Sequence, residues 1–269
     1  MSILRDWWAP PRPDEPSVVR DPAERRALTI ELVVVFAVTL GLSAVGSLLS
    51  LVDSLLKPQA LADQNVGLND SQAQLGLIDF ALQVTQALRL VAWGALGVFL
   101  LWRGGIALWR VGLDRTRPGR DVLAGAGLAA LIGIPGLGLY LTAHALGFAL
   151  TVQPSTLDEA WWRGPVLILS AFGNSFAEEV LMIGYLLTRL RQLGWSENAS
   201  LWVAAVIRGS YHLYQGVGGF VGNIVMGLVY GRIWQRTNRL WPLIVGHALI
   251  DVVAFVGYAL LRDHLSWLP

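Results

Sequence analysis

Long apolar segments separated by short polar ones run through most of the chain and predict a bundle of membrane-spanning helices. A helix that crosses a bilayer needs about 20 apolar residues. Seven segments meet this requirement, at about 28–52, 80–102, 121–143, 164–188, 199–216, 217–235 and 240–261. We find no soluble domain and no internal repeat between them. The sequence therefore predicts an all-α, polytopic transmembrane helical bundle with about seven spans.

The segment before the first span is polar and rich in proline. Four prolines lie between Pro10 and Pro16, which is typical of a flexible tail. The apolar run that follows is too long for the core of a signal peptide, so we expect it to remain as a spanning helix. We therefore divide the chain into a flexible cytoplasmic tail at 1–27, three N-terminal spans at 28–143 and a core of four spans at 164–261.

The basic residues predict the orientation of the bundle. Of the 20 Lys and Arg residues, 14 fall in the first, third, fifth and seventh segments outside the spans, three fall in the other outside segments and three lie within spans. Cytoplasmic loops carry the excess of Lys and Arg in membrane proteins. This alternation predicts a multi-pass protein of the cell membrane with its N-terminus in the cytoplasm.

Composition agrees with a membrane protein and excludes several kinds of function. Hydrophobic residues make up 54% of the chain and charged residues 14%, with a mean hydropathy of +0.53. Soluble domains carry roughly 25% charged residues. The net charge of +1 gives no broad electrostatic attraction for nucleic acid, so we expect no nucleic-acid partner. The absence of cysteine excludes disulfides, thiolate metal sites and cysteine catalysis.

Three of the predicted spans carry ionisable side chains, which cost free energy in a membrane and usually mark function. At 1.5 Å per helical residue, these side chains lie at one depth to within about a turn. Arg208 and His212 are spaced i, i+4, as are His247 and Asp251, so each pair is expected to share a helix face. The two adjacent glutamates lie about 100° apart, so we expect one to face the site and the other to brace an arginine or a neighbouring helix. The six residues are Glu178, Glu179, Arg208, His212, His247 and Asp251.

The first three spans carry fewer charged side chains, and we interpret them as structural. Glu31 lies near the inner end of its span, where its carboxylate can reach the lipid headgroups. Arg89 is deeper and is expected to pair with Asp79 or with a lipid phosphate.

The clustered side chains predict hydrolytic chemistry without a serine or cysteine nucleophile. Burial disfavours the charged form of a carboxylate and a nearby imidazole favours it, which gives a base able to take a proton from water. A second imidazole beside a polar side chain can donate hydrogen bonds to a developing oxyanion. The same groups could instead bind zinc, through Glu178, His212 and His247. No His-Glu-x-x-His helix is present, and spacing alone does not choose between these two versions.

Across 164–261 these residues resemble the CPBP family of intramembrane proteases, which includes the CAAX prenyl endopeptidases and the bacteriocin-processing, Abi-like proteins. The family pattern is Glu-Glu-x-x-x-Arg, then Phe-x-x-x-His, then His-x-x-x-Asn or Asp. Glu178-Glu179, His212 and His247-x-x-x-Asp251 match it in order and spacing.

The resemblance implies a role for each matched residue. Glu178 and His212 would activate the water, Glu179 would be the second glutamate, and His247 with Asp251 would form the oxyanion site. Members of the family are described variously as metal-dependent or as glutamate proteases. The resemblance thus implies either no required cofactor or a zinc ion.

Two positions depart from the family pattern. Ile183 stands where the motif has arginine, and Arg208 stands where the second motif has phenylalanine. We hypothesise that the cation lost from the fourth span is replaced by Arg208 on the fifth, where it holds Glu179 or orients Glu178.

The sequence therefore predicts an intramembrane endopeptidase that cleaves a membrane-associated or lipid-modified protein, reached from the bilayer or the inner leaflet. One alternative is a non-catalytic membrane scaffold or immunity protein built on the same bundle. Another is a proton-coupled carrier, because buried Glu and His also relay protons. The chain lacks the pair of broken helices in matching halves that carriers often show, which disfavours the carrier.

Overall fold

The computed structural model describes residues 16–261 and His264, and this part of the chain is a helical bundle. Five helices in it are long and apolar enough to cross a membrane: Gly76–Arg103, Pro118–Ala145, Arg163–Gln192, Val217–Thr237 and Trp241–Leu261. A sixth span is formed if the bent pair Pro22–Val38 and Leu40–Leu56 crosses as one unit. The prediction of an all-α, polytopic bundle in the cell membrane is confirmed.

The helices are numbered along the chain, and two of the apolar spans contain a π-helical segment. The elements are α1 Pro22–Val38, α2 Leu40–Leu56, α3 Gly76–Arg103, α4 Pro118–Ala145, α5 Arg163–Glu178, a π-helical segment Glu179–Tyr185, α6 Leu186–Gln192, α7 Glu197–Ser210, α8 Val217–Thr237, α9 Trp241–Val252, a second π-helical segment Val253–Gly257 and α10 Tyr258–Leu261. Short 3₁₀ turns occur at Leu61–Asp63, Leu108–Val111 and Leu213–Gln215.

The first span differs from the single helix predicted at 28–52. The α1 helix begins at Pro22, inside the predicted tail 1–27, because the Asp21 carboxylate caps it by accepting hydrogen bonds from the N–H groups of Ala23 and Glu24 at 2.7 and 2.9 Å. Between α1 and α2 the chain bends by 47° at Thr39, whose backbone is not helical. Residues 1–15 of the predicted tail lie outside the described residues.

The predicted fifth span is the shortest of the bundle. Its helix, α7, covers 14 residues and ends at Ser210 rather than at 216. At 1.5 Å per residue it is about 21 Å long, less than the ~30 Å of a hydrocarbon core. A 3₁₀ turn and Gly216, with φ at 97°, then turn the chain into α8. The count of seven spans and the cytoplasmic N-terminus therefore stay predictions.

One end of the bundle gathers the arginine-rich connections, and we call it the arginine end. It holds the segments 104–117, 193–196 and 238–240. Arg239 joins two of them by an ion pair with Asp114 at 2.5 Å and by another with Asp121. The hydrogen bond from Arg239 holds the pKa of the Asp114 carboxyl well below its usual value, so the pair stays charged and keeps its contribution to stability into strongly acidic conditions.

The opposite end holds the only strands of the described chain, and we call it the strand end. Strand β1, Asn65–Gly67, pairs in parallel with β2, Thr151–Gln153, and Ala149 bridges to Gly216. These contacts join the connections that follow α2, α4 and α7.

Two carboxylates of the early spans, Glu31 and Asp79, have hydrogen-bond partners within the protein that the sequence did not predict. The Glu31 carboxylate accepts hydrogen bonds from Tyr185 and from Arg189, each at 2.9 Å, and does not depend on lipid headgroups for a partner. Arg189 is almost fully buried, so an ion pair inside the bundle is the better partner for it. Asp79 accepts from the Ser71 hydroxyl at 2.8 Å and forms no ion pair with Arg89 among the described residues, which leaves a lipid phosphate as the expected partner of Arg89.

Close packing of α4 on α9 positions His247, which lies on α9. A methyl group at Gly125 would lie 2.7 Å from the Val245 side chain and 3.0 Å from the Pro242 carbonyl oxygen. We expect Gly125→Val to destabilise the protein by about 1–3 kcal/mol through overpacking. The matched control is Gly127→Val on the same helix, because nothing lies within 4 Å of that position.

Thermal unfolding of the purified variants in detergent measures this effect. A Gly125→Val protein as stable as Gly127→Val would contradict the packing of these two helices.

Candidate active site

The two glutamates lie at the change from α-helix to π-helix. Glu178 ends α5 and Glu179 begins the π-helical segment, and both side chains are buried. π-helical turns inside α-helices occur often at functional sites. The sequence predicted two side chains about 100° apart with one facing the site, whereas both reach the same partner, Arg208.

Arg208, on α7, forms the centre of the cluster. Its guanidinium lies 2.8 Å from the Glu179 carboxylate, 3.4 Å from the Glu178 carboxylate and 3.2 Å from Nδ1 of His247. The residue is 1% exposed. A buried charge is stable only when it is paired, so Arg208 and the two carboxylates depend on one another. The hypothesis that Arg208 holds Glu179 or orients Glu178 agrees with these distances.

His247 connects the glutamates to Asp251. Its Nδ1 lies 2.8 Å from the Glu179 carboxylate, and its Nε2 lies 3.6 Å from the Asp251 carboxylate. Because Nδ1 is closer to the anionic Glu179 than to Arg208, the tautomer that donates Nδ1–H to Glu179 is favoured. The two residues are i, i+4 on α9 as the sequence predicted.

His212 lies just beyond the end of α7. Its Nδ1 is 3.0 Å from the carbonyl oxygen of Arg208, so Nδ1–H donates to that oxygen and Nε2 is left as the acceptor. No hydrogen bond joins His212 to Glu178 in the part of the chain that the structure describes. The imidazole packs on Tyr211 with ring centroids 4.7 Å apart.

Two site residues escaped the sequence reasoning. The Tyr211 hydroxyl donates to the Glu178 carboxylate at 2.8 Å, and the Asn174 amide donates to the Asp251 carboxylate at 2.9 Å. Asn174 precedes Glu178 by four residues and so shares its helix face, a signal that was available in the sequence. Tyr211 had no such signal, because it lies beyond the end of α7, where helical spacing does not apply.

The structure therefore brings together all six predicted side chains, although His212 meets the others through Arg208 and Tyr211. The arrangement can hold a water against a carboxylate and present imidazole N–H groups to a polar substrate.

The side chains do not fit the zinc site that the sequence left open. Among the described residues, no group of three or more His, Asp or Glu side chains could hold a metal ion. The Arg208 guanidinium contacts Glu178 and His247, two of the three expected ligands. A zinc ion between them would lie against this buried positive charge, which opposes its binding.

Comparison with known proteins gives one match. Residues 160–253 match the family model described as type II CAAX prenyl endopeptidase Rce1-like. This segment runs from the start of α5 to the end of α9 and includes the six predicted site residues. No curated protein and no solved structure gives a significant match to the chain.

Proposed function

The chain belongs to the CPBP family through its Rce1-like domain at residues 160–253, and on this premise we propose that it is an intramembrane endopeptidase whose water is activated by Glu178 and His212. Its substrate is a membrane-associated or lipid-modified protein. The family implies protease activity at a membrane. The residues and the mechanism are our proposal.

The observation that carries the proposal is the contact set of Glu178. Its carboxylate accepts a hydrogen bond from Tyr211 at 2.8 Å and lies 3.4 Å from the Arg208 guanidinium. These two donors fix the orientation of the carboxylate, which a general base requires. A glutamate that served only to balance a buried charge would not need a tyrosine hydroxyl as well as the arginine.

Proton transfer begins at the water. Glu178 takes one proton from it while Nε2 of His212 accepts its second hydrogen bond, and the oxygen attacks the carbonyl carbon of the scissile peptide. The C–N bond then breaks, and the proton held by Glu178 passes to the leaving amine. Oxygen, hydrogen and charge balance without a covalent intermediate on the protein.

His247 stabilises the negative oxygen formed by the attack, and Asp251 assists in its protonated form, because an ionised carboxylate has no proton to donate. Glu179 fixes His247 by accepting Nδ1–H, so His247 can donate from Nε2 only as an imidazolium, whose second proton lies on the side of the ring that faces Asp251. A preoriented N–H group at this position stabilises the oxyanion more than it stabilises the ground-state carbonyl. Asn174 holds Asp251 in place through its amide.

Comparative proteomics of cell membranes tests the proposal. The strains compared are a deletion strain, a strain with Glu178→Ala and a control with Glu24→Ala, whose side chain is exposed in the first turn of α1. We expect at least one unprocessed protein shared by the deletion and Glu178→Ala strains and absent from the control. Normal processing in the Glu178→Ala strain would reject the proposal.

A further inference from the structure

A groove on the strand end, lined by serine hydroxyls together with apolar side chains such as Val66 and Leu150, has no role in the mechanism described above. The groove is a cavity of about 380 Å³ between α2, β1 and the turn that follows α7. Such a volume lies within the range of ligand sites in proteins. We propose that this groove binds an extended segment of the substrate polypeptide and leads it to Glu178 from the strand end, which is opposite the inner-leaflet side from which the sequence predicted access. The inference rests on the proposed function.

One wall of the groove is a row of serine hydroxyls on α2. Ser43, Ser47, Ser50 and Ser54 are spaced by four, three and four residues, so they share one face of the helix. The lipid-facing positions of α2 are apolar, such as Leu48, Leu49 and Leu55. Hydroxyls on a face that only packed against apolar neighbours would cost free energy, so this face is suited to a polar occupant.

Ser54 in particular lacks a partner inside the protein. Its side chain is 8% exposed and lines the cavity, and among the described residues its hydroxyl makes no hydrogen bond. Ser47, two turns before Ser54 on α2, accepts a hydrogen bond from the Tyr214 N–H at 2.7 Å and still has its own proton to donate. The groove thus offers donors and acceptors that the fold does not use.

The opposite wall includes a strand with a free edge. Asn65 and Val66 of β1 line the cavity. Thr151 N–H donates to Gln64 at 2.9 Å and Leu68 N–H donates to Gln153 at 3.0 Å, so alternate residues of β1 face β2. The backbone groups of Asn65 between them are directed to the unpaired side. An extended peptide can add to such an edge as a further strand.

Tyr211 connects the groove to the proposed catalytic base. This residue lines the inner part of the cavity and donates its hydroxyl to Glu178. At the outer part, Asp53 and Lys57 form an exposed ion pair at 2.7 Å. An acyl chain would gain nothing from serine hydroxyls or from this charged pair, whereas a peptide backbone carries alternating donors and acceptors. A peptide is therefore the occupant that the lining favours.

The test uses the absence of cysteine from the chain. Ser54→Cys and Ser50→Cys each introduce a single thiol in the groove, and Asp158→Cys introduces one at an exposed position of the strand end outside it. The full-length proteins, with Glu178→Ala added so that no peptide is consumed, are purified in detergent. The rate of thiol alkylation by a water-soluble maleimide is then measured with and without a pool of N-myristoylated random decapeptides.

We expect both groove thiols to react, and the peptide pool to slow their alkylation by the factor 1 + [peptide]/Kd, or about tenfold at ten times Kd. The Asp158→Cys rate should not change. Groove thiols that do not react, or that react at the same rate with and without peptide, would overturn the inference. Equal protection by myristic acid alone would also overturn it, because the groove would then be a lipid site.

The readout is independent of catalysis. Normal cleavage by Glu178→Ala would reject the proposed function, whereas protection of the groove thiols depends only on peptide binding. The two ideas can therefore fail separately.

Discussion

Replacing Glu178 by glutamine is expected to lower the rate of peptide cleavage by about 10²–10⁴-fold, the range that a positioned general base contributes. Glutamine has nearly the same shape, and its amide oxygen can still accept the hydrogen bond that Tyr211 donates to the Glu178 carboxylate at 2.8 Å. The amide cannot take a proton from water. We therefore expect the loss in kcat, with the unfolding temperature in detergent close to that of the unchanged protein.

Turnover of a processed protein identified by membrane proteomics measures this effect, and Glu24→Gln is the matched control. Glu24 is exposed in the first turn of α1, so its loss should leave both kcat and stability unchanged. A Tyr211→Phe variant removes one hydrogen-bond donor to Glu178 while keeping the carboxylate, so its kcat can be compared with that of Glu178→Gln. Loss of one donor to Glu178 should reduce kcat less than loss of the base itself. Equal turnover by Glu178→Gln and the unchanged protein would remove Glu178 from the mechanism.

Replacing Arg208 by methionine is expected to destabilise the protein by about 3–5 kcal/mol, the cost of removing one partner from a buried ion pair. Arg208 is 1% exposed and contacts Glu178, Glu179 and His247. Without it, two carboxylates remain buried side by side and repel each other. Cleavage should be lost as well, because Glu178 and Glu179 are then no longer oriented.

Chemical unfolding and cleavage of the same preparation separate the two effects. Arg26→Met is the control, since Arg26 is exposed on α1. The double variant Arg208→Met/Ile183→Arg returns a cation to the π-helical segment that carries Glu179, and we expect it to regain part of both stability and activity. If it regains neither, the idea that Arg208 replaces a cation lost at position 183 is wrong.

The sequence was sufficient for the features that depend on composition and on helical spacing. The apolar segments predicted the helical bundle, and the i, i+4 spacing of His247 and Asp251 predicted that they share a face, as they do. The pair Arg208 and His212, the pair on α9 and the adjacent glutamates also identified the polar side chains that the structure brings together, although His212 lies beyond the end of α7.

The features that escaped the sequence depend on local departures from an α-helix. Thr39 bends the first span, α7 ends at Ser210, and the segment after Glu178 is π-helical. Each departure is set by tertiary packing, which overrides the local spacing on which a sequence argument relies. Tyr211 was missed for the same reason, because it reaches Glu178 only after the helix has ended.

The π-helical segment Glu179–Tyr185 allows one long helix to serve two ion pairs that an unbroken α-helix would misalign. Glu179, at its beginning, faces Arg208, whereas Arg189, just beyond its end, faces Glu31 of the first span. Removing a single residue from the segment would turn everything after it by about 100°. A protein shortened in this way would lose either the contact of Glu179 with Arg208 or that of Arg189 with Glu31. The length of the π-helical segment therefore sets the rotation of the N-terminal span relative to the hydrolytic centre.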